Sequence, residues 1–133
     1  MLSNRHEFEL PASLIEAFQE DGAVCVRQLF TPDDVALLTR GIESNLAAPS
    51  PRAKVASTAD DPGWFFEDFC NWTENDDYRR FIFDSCVGSV AAQLMGCPSA
   101  RLYHDHLLVK EPNTRQPTPW HQDQPYYLSL IHI

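Results

Sequence analysis

The sequence predicts an α+β fold in which helices come first along the chain and strands come last. Apolar residues recur with helical spacing mainly before residue 98, whereas the alternation typical of strands is concentrated in residues 99–127. The length of 133 residues is that of one domain, or of part of a larger one. We therefore expect a mainly helical segment at 1–98, followed by the first strands of a β-core at 99–127.

The first third of the chain is predicted to contain two helices with a strand between them. Residues 11–20 resemble a short amphipathic helix that has Pro11 in its first turn and Gly22 near its end. Residues 23–30 are rich in β-forming residues and predict a strand. Thr31 is a suitable N-cap for a second helix, and Pro32 suits its first position. The apolar stripe of that helix would consist of Val35, Leu37, Leu38, Ile42 and Leu46.

The middle of the chain is predicted to contain a loop and two more helices. Residues 47–62 have no periodicity and predict an exposed loop. The aromatic run at 64–69 is expected to be partly buried. Asn75 is a candidate N-cap for a helix that runs through residue 83, and residues 85–95 predict another helix that ends at Gly96.

Two strands are predicted near the end of the chain, joined by a connection at 111–118 that contains two prolines. Residues 101–109 alternate in strand fashion, and a second short strand is predicted through Trp120, His121 and Asp123. Successive side chains of a strand point to opposite faces. One face of the first strand would therefore carry Leu102, His104, His106, Leu108 and Lys110, and the other Tyr103, Asp105, Leu107 and Val109.

Composition and charge exclude several classes of partner. Ten Lys and Arg stand against 19 Asp and Glu, which gives a formal net charge of −9. This balance argues against binding to nucleic acid or to an anionic membrane, both of which need a basic face. No apolar run approaches the roughly 20 residues of a membrane span, and the N-terminus lacks the apolar region of a secretory signal. The four cysteines lack CxxC spacing, so we interpret them as free thiols in a reducing, cytoplasmic compartment.

His121 and Asp123 form the strongest candidate site. In an extended segment, residues i and i+2 lie on one face about 6–7 Å apart. An imidazole and a carboxylate placed in this way are two arms of the 2-His-1-carboxylate triad that holds non-haem Fe(II). A bare His-x-Asp tripeptide also arises by chance, so a structural role is the alternative. Trp120 and the Pro-Tyr-Tyr turn at 125–127 favour the functional interpretation.

His104 and His106 form a second candidate, because a strand would place both imidazoles on one face. Together with Glu111 they approximate the His-x-His signature of cupin metalloenzymes, although the glycines that frame that motif are missing. The simpler alternative is that both histidines are hydrogen-bonded in a polar interior. The acidic pairs Asp60-Asp61 and Glu67-Asp68 are interpreted as solvated charges.

The segments at 22–30, 64–68, 101–112 and 118–126 together resemble the phytanoyl-CoA dioxygenase family across roughly residues 20–127. The most specific part is Lys-x-Pro at 110–112 followed by Trp-His-Gln-Asp-x-Pro-Tyr at 120–126. The resemblance implies a double-stranded β-helix, or jelly-roll. It also implies an Fe(II)- and 2-oxoglutarate-dependent dioxygenase that uses O2 to hydroxylate a small-molecule substrate.

The resemblance also implies roles for individual residues. His121 and Asp123 would be the first two iron ligands, and His106 would contact 2-oxoglutarate from the first core strand. The family's distal His ligand and its 2-oxoglutarate-binding Arg have no counterpart here, since His132 is too close to Asp123. Residues 128–133 depart from the family pattern and are interpreted as a possible foreign tail. We therefore expect an N-terminal portion of the oxygenase domain that is inactive as this chain. A non-catalytic scaffold with a degenerate oxygenase fold is the alternative.

Overall fold

The structure, a computed structural model, describes residues 8–123. Within them the chain forms four α-helices and one three-stranded antiparallel sheet with the strand order β1-β2-β3. This combination of helices and an antiparallel sheet agrees with the predicted α+β class, but the predicted order of helices first and strands last is wrong, because two of the three strands come before the third and fourth helices. In chain order the elements are α1 (Ala12–Asp21), α2 (Pro32–Ala47), β1 (Lys54–Val55), β2 (Phe65–Phe69), α3 (Asp76–Asp84), α4 (Val87–Leu94) and β3 (His106–Lys110).

Three of the predicted helix ends are confirmed, and α4 is shorter than the helix predicted at 85–95. The Thr31 hydroxyl accepts a hydrogen bond from the backbone of Asp34, and the Asp34 carboxylate accepts one in return from the Thr31 backbone, which forms a capping box. The Asn75 side chain accepts a hydrogen bond from the backbone N–H of Tyr78 and so begins α3. Gly22 ends α1 at a φ of 73°, a left-handed conformation that glycine adopts without steric cost.

The strand predicted at 23–30 is absent. This segment is irregular and contains a turn in which Gln28 has a φ of 56°. Its apolar residues Val26 and Leu29 instead pack against a core cluster formed by Leu10, Cys86 and Val90, together with side chains of α1 and α4. The β-propensity was overridden because the segment has no neighbouring strand and its apolar side chains are buried against helices.

The sheet differs from its predicted form in four places. β1 lies inside the stretch predicted as a loop, and β2 forms from the aromatic run 65–69. β3 covers only the second half of the strand predicted at 101–109. The strand predicted through Trp120 is absent, and the Trp120 side chain is fully exposed. Pro117 and Pro119 lack the N–H groups that a paired strand would donate, which explains the irregular backbone before the motif.

The two faces of the sheet have different environments. β2 buries Phe66 and Asp68, which are 3% and 0% exposed, on the side where α2 and α3 pack. Burial alternates along β3 as it does along β2: Leu107 and Val109 are half-buried, and the other residues of the strand are exposed. The strand register places the remaining side chains of β2 and β3 together on the other side, which we call the open face: Phe65, Glu67, Phe69, His106, Leu108 and Lys110.

The chain has no helix within residues 8–123 that is long and apolar enough to cross a membrane. All four cysteines are free: Cys86 is buried in the core, Cys70 is half-buried, and Cys25 and Cys97 are exposed.

Gly41 lets α2 approach α3 closely, and its substitution is expected to destabilise the protein. A Cβ at this position would lie 2.8 and 2.9 Å from two ring carbons of Tyr78, whose ring is buried. We expect Gly41→Ala to lower the free energy of unfolding by about 1–2 kcal/mol, because overpacking outweighs the gain in helix propensity. Chemical denaturation followed by circular dichroism measures the change.

Gly88→Ala is the matched control for this substitution. Gly88 also lies inside a helix, and a Cβ there would meet nothing within 4 Å. Only the propensity gain remains, so this variant should be neutral or more stable by up to about 1 kcal/mol. Equal effects of the two substitutions would contradict the close contact at Gly41.

Candidate functional site

The structure brings His121 and Asp123 together. The Nε2 atom of His121 lies 3.3 Å from an Oδ1 oxygen of Asp123, and both side chains are more than half exposed. The predicted strand is not needed for this approach, because the backbone at 120–123 is irregular. Two ligands at about 2.1 Å from one metal ion and at a right angle are separated by roughly 3 Å. The spacing of the two atoms therefore suits adjacent positions on a single ion.

The hydrogen bonding of His121 determines which ring nitrogen is available. Its Nδ1 atom lies 2.7 Å from the carbonyl oxygen of Pro119. A carbonyl oxygen only accepts, so Nδ1 carries the hydrogen and donates it. In the neutral ring the lone pair is then on Nε2, the atom that faces the Asp123 carboxylate. A lone pair and a carboxylate oxygen this close together can bind the same metal ion. A second hydrogen bond that fixes the tautomer in this way is typical of metal-ligating histidines.

These two residues fit two of the three protein ligands of a 2-His-1-carboxylate metal site. Among residues 8–123, no group of three His, Cys, Asp or Glu side chains is placed to hold a metal ion. A 2-His-1-carboxylate centre needs one more histidine than the described part of the chain brings to His121 and Asp123. The predictions for the turn at 125–127, for His132 and for the tail at 128–133 concern residues outside those that the structure describes.

His106 lies at the start of β3 on the open face of the sheet. Its Nε2 atom is 3.6 Å from a carboxylate oxygen of Glu67 on β2. Its ring contacts Phe69 edge-on at 5.5 Å, and at the far end of the face the Lys110 ammonium lies over the Phe65 ring at 4.8 Å. The open face thus combines an aromatic floor with groups that bind polar or anionic ligands.

The structure does not assemble the cupin triad. The rings of His104 and His106 are 6.3 Å apart, and Glu111 is exposed, with its backbone N–H donating to the carbonyl of Trp64. All three residues lie in the described part of the chain, and they do not form a metal-holding group. His106 is paired with Glu67 instead.

The interpretation of Asp68 as a solvated charge is wrong, because the residue is fully buried. Its carboxylate accepts hydrogen bonds from the Asn45 amide at 2.8 Å and from the Ser50 backbone and hydroxyl at 2.9 and 2.6 Å. Burial alone would raise the pKa of Asp68, but the hydrogen bonds from Ser50, Asn71 and Asn45 outweigh it and hold the pKa well below its usual range. Asp68 therefore links the sheet to α2 and to the segment that follows it.

Tyr78 and Asp105 extend this buried network. The Tyr78 hydroxyl donates to the Asn45 side chain at 3.2 Å. Burial, together with the negative charges of Asp105 and Asp68, raises the pKa of Tyr78 to about 12. The Asp105 carboxylate accepts from the backbone N–H groups of residues 71 and 72, so it holds the chain that leaves β2. Sequence patterns indicated none of these long-range contacts.

Comparison with known proteins adds one finding to this geometry. A family model described as phytanoyl-CoA dioxygenase (PhyH) matches residues 18–131, which is most of the chain. No curated protein and no solved structure gives a significant match. The matched region includes the sheet, its open face and the His121–Asp123 pair.

Proposed function

Because the chain belongs to the phytanoyl-CoA dioxygenase family, we propose that it carries part of the active site of an Fe(II)- and 2-oxoglutarate-dependent oxygenase. The family is one of dioxygenase-type enzymes. An iron centre with 2-oxoglutarate as cosubstrate supplies the activation of O2 for hydroxylation of a C–H bond in a small-molecule substrate. The residues of this chain would hold that centre and line its surroundings.

The observation that carries the proposal is the arrangement of His121 and Asp123. The Pro119 carbonyl fixes the His121 ring so that Nε2 faces the Asp123 carboxylate at 3.3 Å. In the proposed role, both residues bind the same ion, and the carboxylate offsets part of its positive charge. Nitrogen and oxygen donors of this kind suit Fe(II) and Mn(II) better than soft metals that prefer thiolates.

The open face is the proposed location of the cosubstrate pocket. It points away from the helices, so in a jelly-roll it would form part of the inner wall of the barrel. His106 lies on this face, and we propose that it contacts 2-oxoglutarate, with Glu67 orienting its ring through the 3.6 Å approach. The aromatic side chains around His106 would exclude water from that wall.

Two ligands hold iron less firmly than three. We propose that residues 8–123 by themselves bind divalent metal weakly and do not turn over substrate, because this part of the chain supplies only two arms of the triad. We also propose a cytoplasmic location, which the four free cysteines support.

Asp123→Ala is expected to weaken divalent metal binding by more than about tenfold, because it removes one of two ligands. Co(II) or Mn(II) can be titrated into the protein while tryptophan fluorescence is recorded. Trp120 is fully exposed and adjacent in sequence to His121, so a bound paramagnetic ion should quench it. Loss of the quenching in the Trp120→Phe variant would show that the fluorescence signal comes from Trp120.

His104→Ala and Glu111→Gln are the controls for this experiment. A cupin-type site would lose its metal when either residue is changed and would keep it in Asp123→Ala. We expect the reverse pattern, with metal affinity unchanged in both controls. A wild-type protein that binds no Co(II), Mn(II) or Fe(II) would overturn the proposal and favour a non-catalytic scaffold.

A further inference from the structure

The segment that connects β3 to the His121–Asp123 pair, residues 111–118, is attached to one carboxylate. The Asp61 carboxylate accepts hydrogen bonds from the backbone N–H of Arg115 at 2.9 and 3.0 Å and from the Thr114 hydroxyl at 3.2 Å. It also accepts from the Gln116 amide at 3.5 Å and from the backbone N–H of Gly63 at 3.1 Å. A half-buried aspartate more than 50 residues away in sequence thus holds three consecutive residues of this segment.

The backbone next to Asp61 also contacts the connecting segment directly. Gly63 lies so close that a Cβ on it would be 2.1 Å from the Thr114 nitrogen and 2.7 Å from the Pro112 oxygen. One residue further, the Trp64 carbonyl accepts a hydrogen bond of 2.8 Å from the Glu111 N–H. The contact therefore runs along the connecting segment from residue 111 to residue 116. It requires a glycine at position 63, because any side chain there would collide with the segment.

Short-range contacts continue from this attachment to the metal pair. The Lys110 ammonium donates to the Thr118 hydroxyl at 3.2 Å, and the Pro119 carbonyl accepts from the His121 ring at 2.7 Å. Proline at 117 and 119 fixes two φ angles between Gln116 and His121. Because this segment is short and its backbone is restricted, the position of residues 114–116 determines where His121 and Asp123 lie. Residues 120–123 themselves have no strand to hold them.

We propose that Asp61 is a positioning residue for the metal-binding pair, which it orients by holding residues 114–116. This inference rests on the proposed function, since it assumes that His121 and Asp123 bind a metal ion. The chemistry favours a carboxylate in this position. Five donor–acceptor contacts converge on its two oxygens, and hydrogen bonds to a charged acceptor are stronger than those between neutral groups.

The test compares Asp61→Ala with Asp60→Ala. The adjacent Asp60 carboxylate is exposed and accepts only a local hydrogen bond from Thr58, so it is the matched control. In Asp61→Ala, Co(II) affinity measured by tryptophan quenching should fall about tenfold, as is typical when a group that orients a metal ligand is lost. The measurement is made at a temperature at which circular dichroism shows the variant to be folded. Asp61→Asn should fall between wild type and Asp61→Ala.

Limited trypsin digestion provides a second readout that does not depend on metal. Release of residues 114–116 should raise the rate of cleavage after Arg115 severalfold in Asp61→Ala, relative to cleavage after the exposed Arg27 in the same molecule. The ratio should be unchanged in Asp60→Ala. An unchanged ratio and an unchanged Co(II) affinity in folded Asp61→Ala would overturn the inference, as would a faster cleavage with full metal affinity.

The two proposals fail in different ways. If wild-type protein binds no metal, the proposed function fails and the role of Asp61 toward the metal falls with it, while the cleavage ratio still shows whether Asp61 holds the segment. If wild-type protein binds Co(II) and folded Asp61→Ala binds it equally well, only the role of Asp61 is overturned.

Discussion

Asp68→Ala is expected to lower the free energy of unfolding by about 3 kcal/mol or more. The substitution removes the acceptor of hydrogen bonds from Asn45, from the Ser50 backbone and hydroxyl, and from the Phe69 backbone. Leaving a buried donor unsatisfied costs about 1–3 kcal/mol, and several are affected together. Urea denaturation of wild type and variant measures the difference.

The effect of Asp68 should depend on pH in a defined direction. Its pKa is lowered in the folded protein, so the folded state binds fewer protons than the unfolded state in acid. The stabilisation is complete above the unfolded carboxyl pKa of about 3.9 and is lost progressively as the pH falls below it. Asp68→Asn lacks this titration. The stability difference between wild type and Asp68→Asn should therefore narrow between about pH 5 and pH 2.

Glu67→Ala is the matched control, since Glu67 is the preceding residue on the opposite, open face and is only half-buried. The substitution removes the partly exposed contact between the Glu67 carboxylate and the His106 ring. It should change the free energy of unfolding by less than about 1 kcal/mol. Equal destabilisation by the two substitutions, or a difference between wild type and Asp68→Asn that stays constant with pH, would contradict the role assigned to Asp68.

Gly63→Ala is expected to displace the connecting segment and to destabilise the protein by about 2–3 kcal/mol. The added Cβ would lie 2.1 Å from the Thr114 nitrogen and 2.6 Å from its Cα atom. Ordinary contact needs about 3.5 Å, so one backbone segment must move by about 1 Å or more. Overpacking of this kind costs about 1–3 kcal/mol, and the hydrogen bonds to Asp61 are strained as well.

Two measurements test the Gly63 substitution. Thermal denaturation reports the loss of stability, and trypsin cleavage after Arg115 reports release of the segment. Gly88→Ala is again the control, because a Cβ at Gly88 meets nothing within 4 Å. If Gly63→Ala is as stable as wild type and no more readily cleaved, the two backbone segments do not lie as close as the structure places them.

Local sequence signals predicted the helices well. Thr31 with Pro32, Asn75 and Gly22 are all found at the helix ends where they were expected. The reason is that capping groups satisfy backbone N–H and C=O groups within a few residues, so the sequence contains both partners of the interaction. The alternation in β3 was also predicted, because successive side chains of a strand point to opposite faces, although the strand itself is shorter than predicted.

The predictions were wrong for residues whose structure depends on partners that are distant in the sequence. Residues 23–30 have β-propensity but no strand beside them, whereas Lys54 and Val55 lie in a segment without periodicity and pair with β2. Asp68 and Asp61 were interpreted as solvated charges. Their hydrogen-bond partners come from segments that are 18–23 and 53–55 residues away, and no local pattern reports such contacts.

The α+β class, several helix ends and the candidate pair His121 and Asp123 could be predicted from the amino-acid sequence, because each of these depends on residues that are close together in the chain. The family could be predicted as well, from motifs that are spread along most of the chain. The folded structure was needed to show that His121 presents Nε2 to Asp123, that Asp68 is buried, and that Asp61 holds the segment before the pair. The roles of Asp68 and Asp61 depend on where distant segments meet, and packing of the whole chain sets that position. The orientation of the His121 ring depends on the irregular backbone at 119–123, which no periodicity in the sequence indicates.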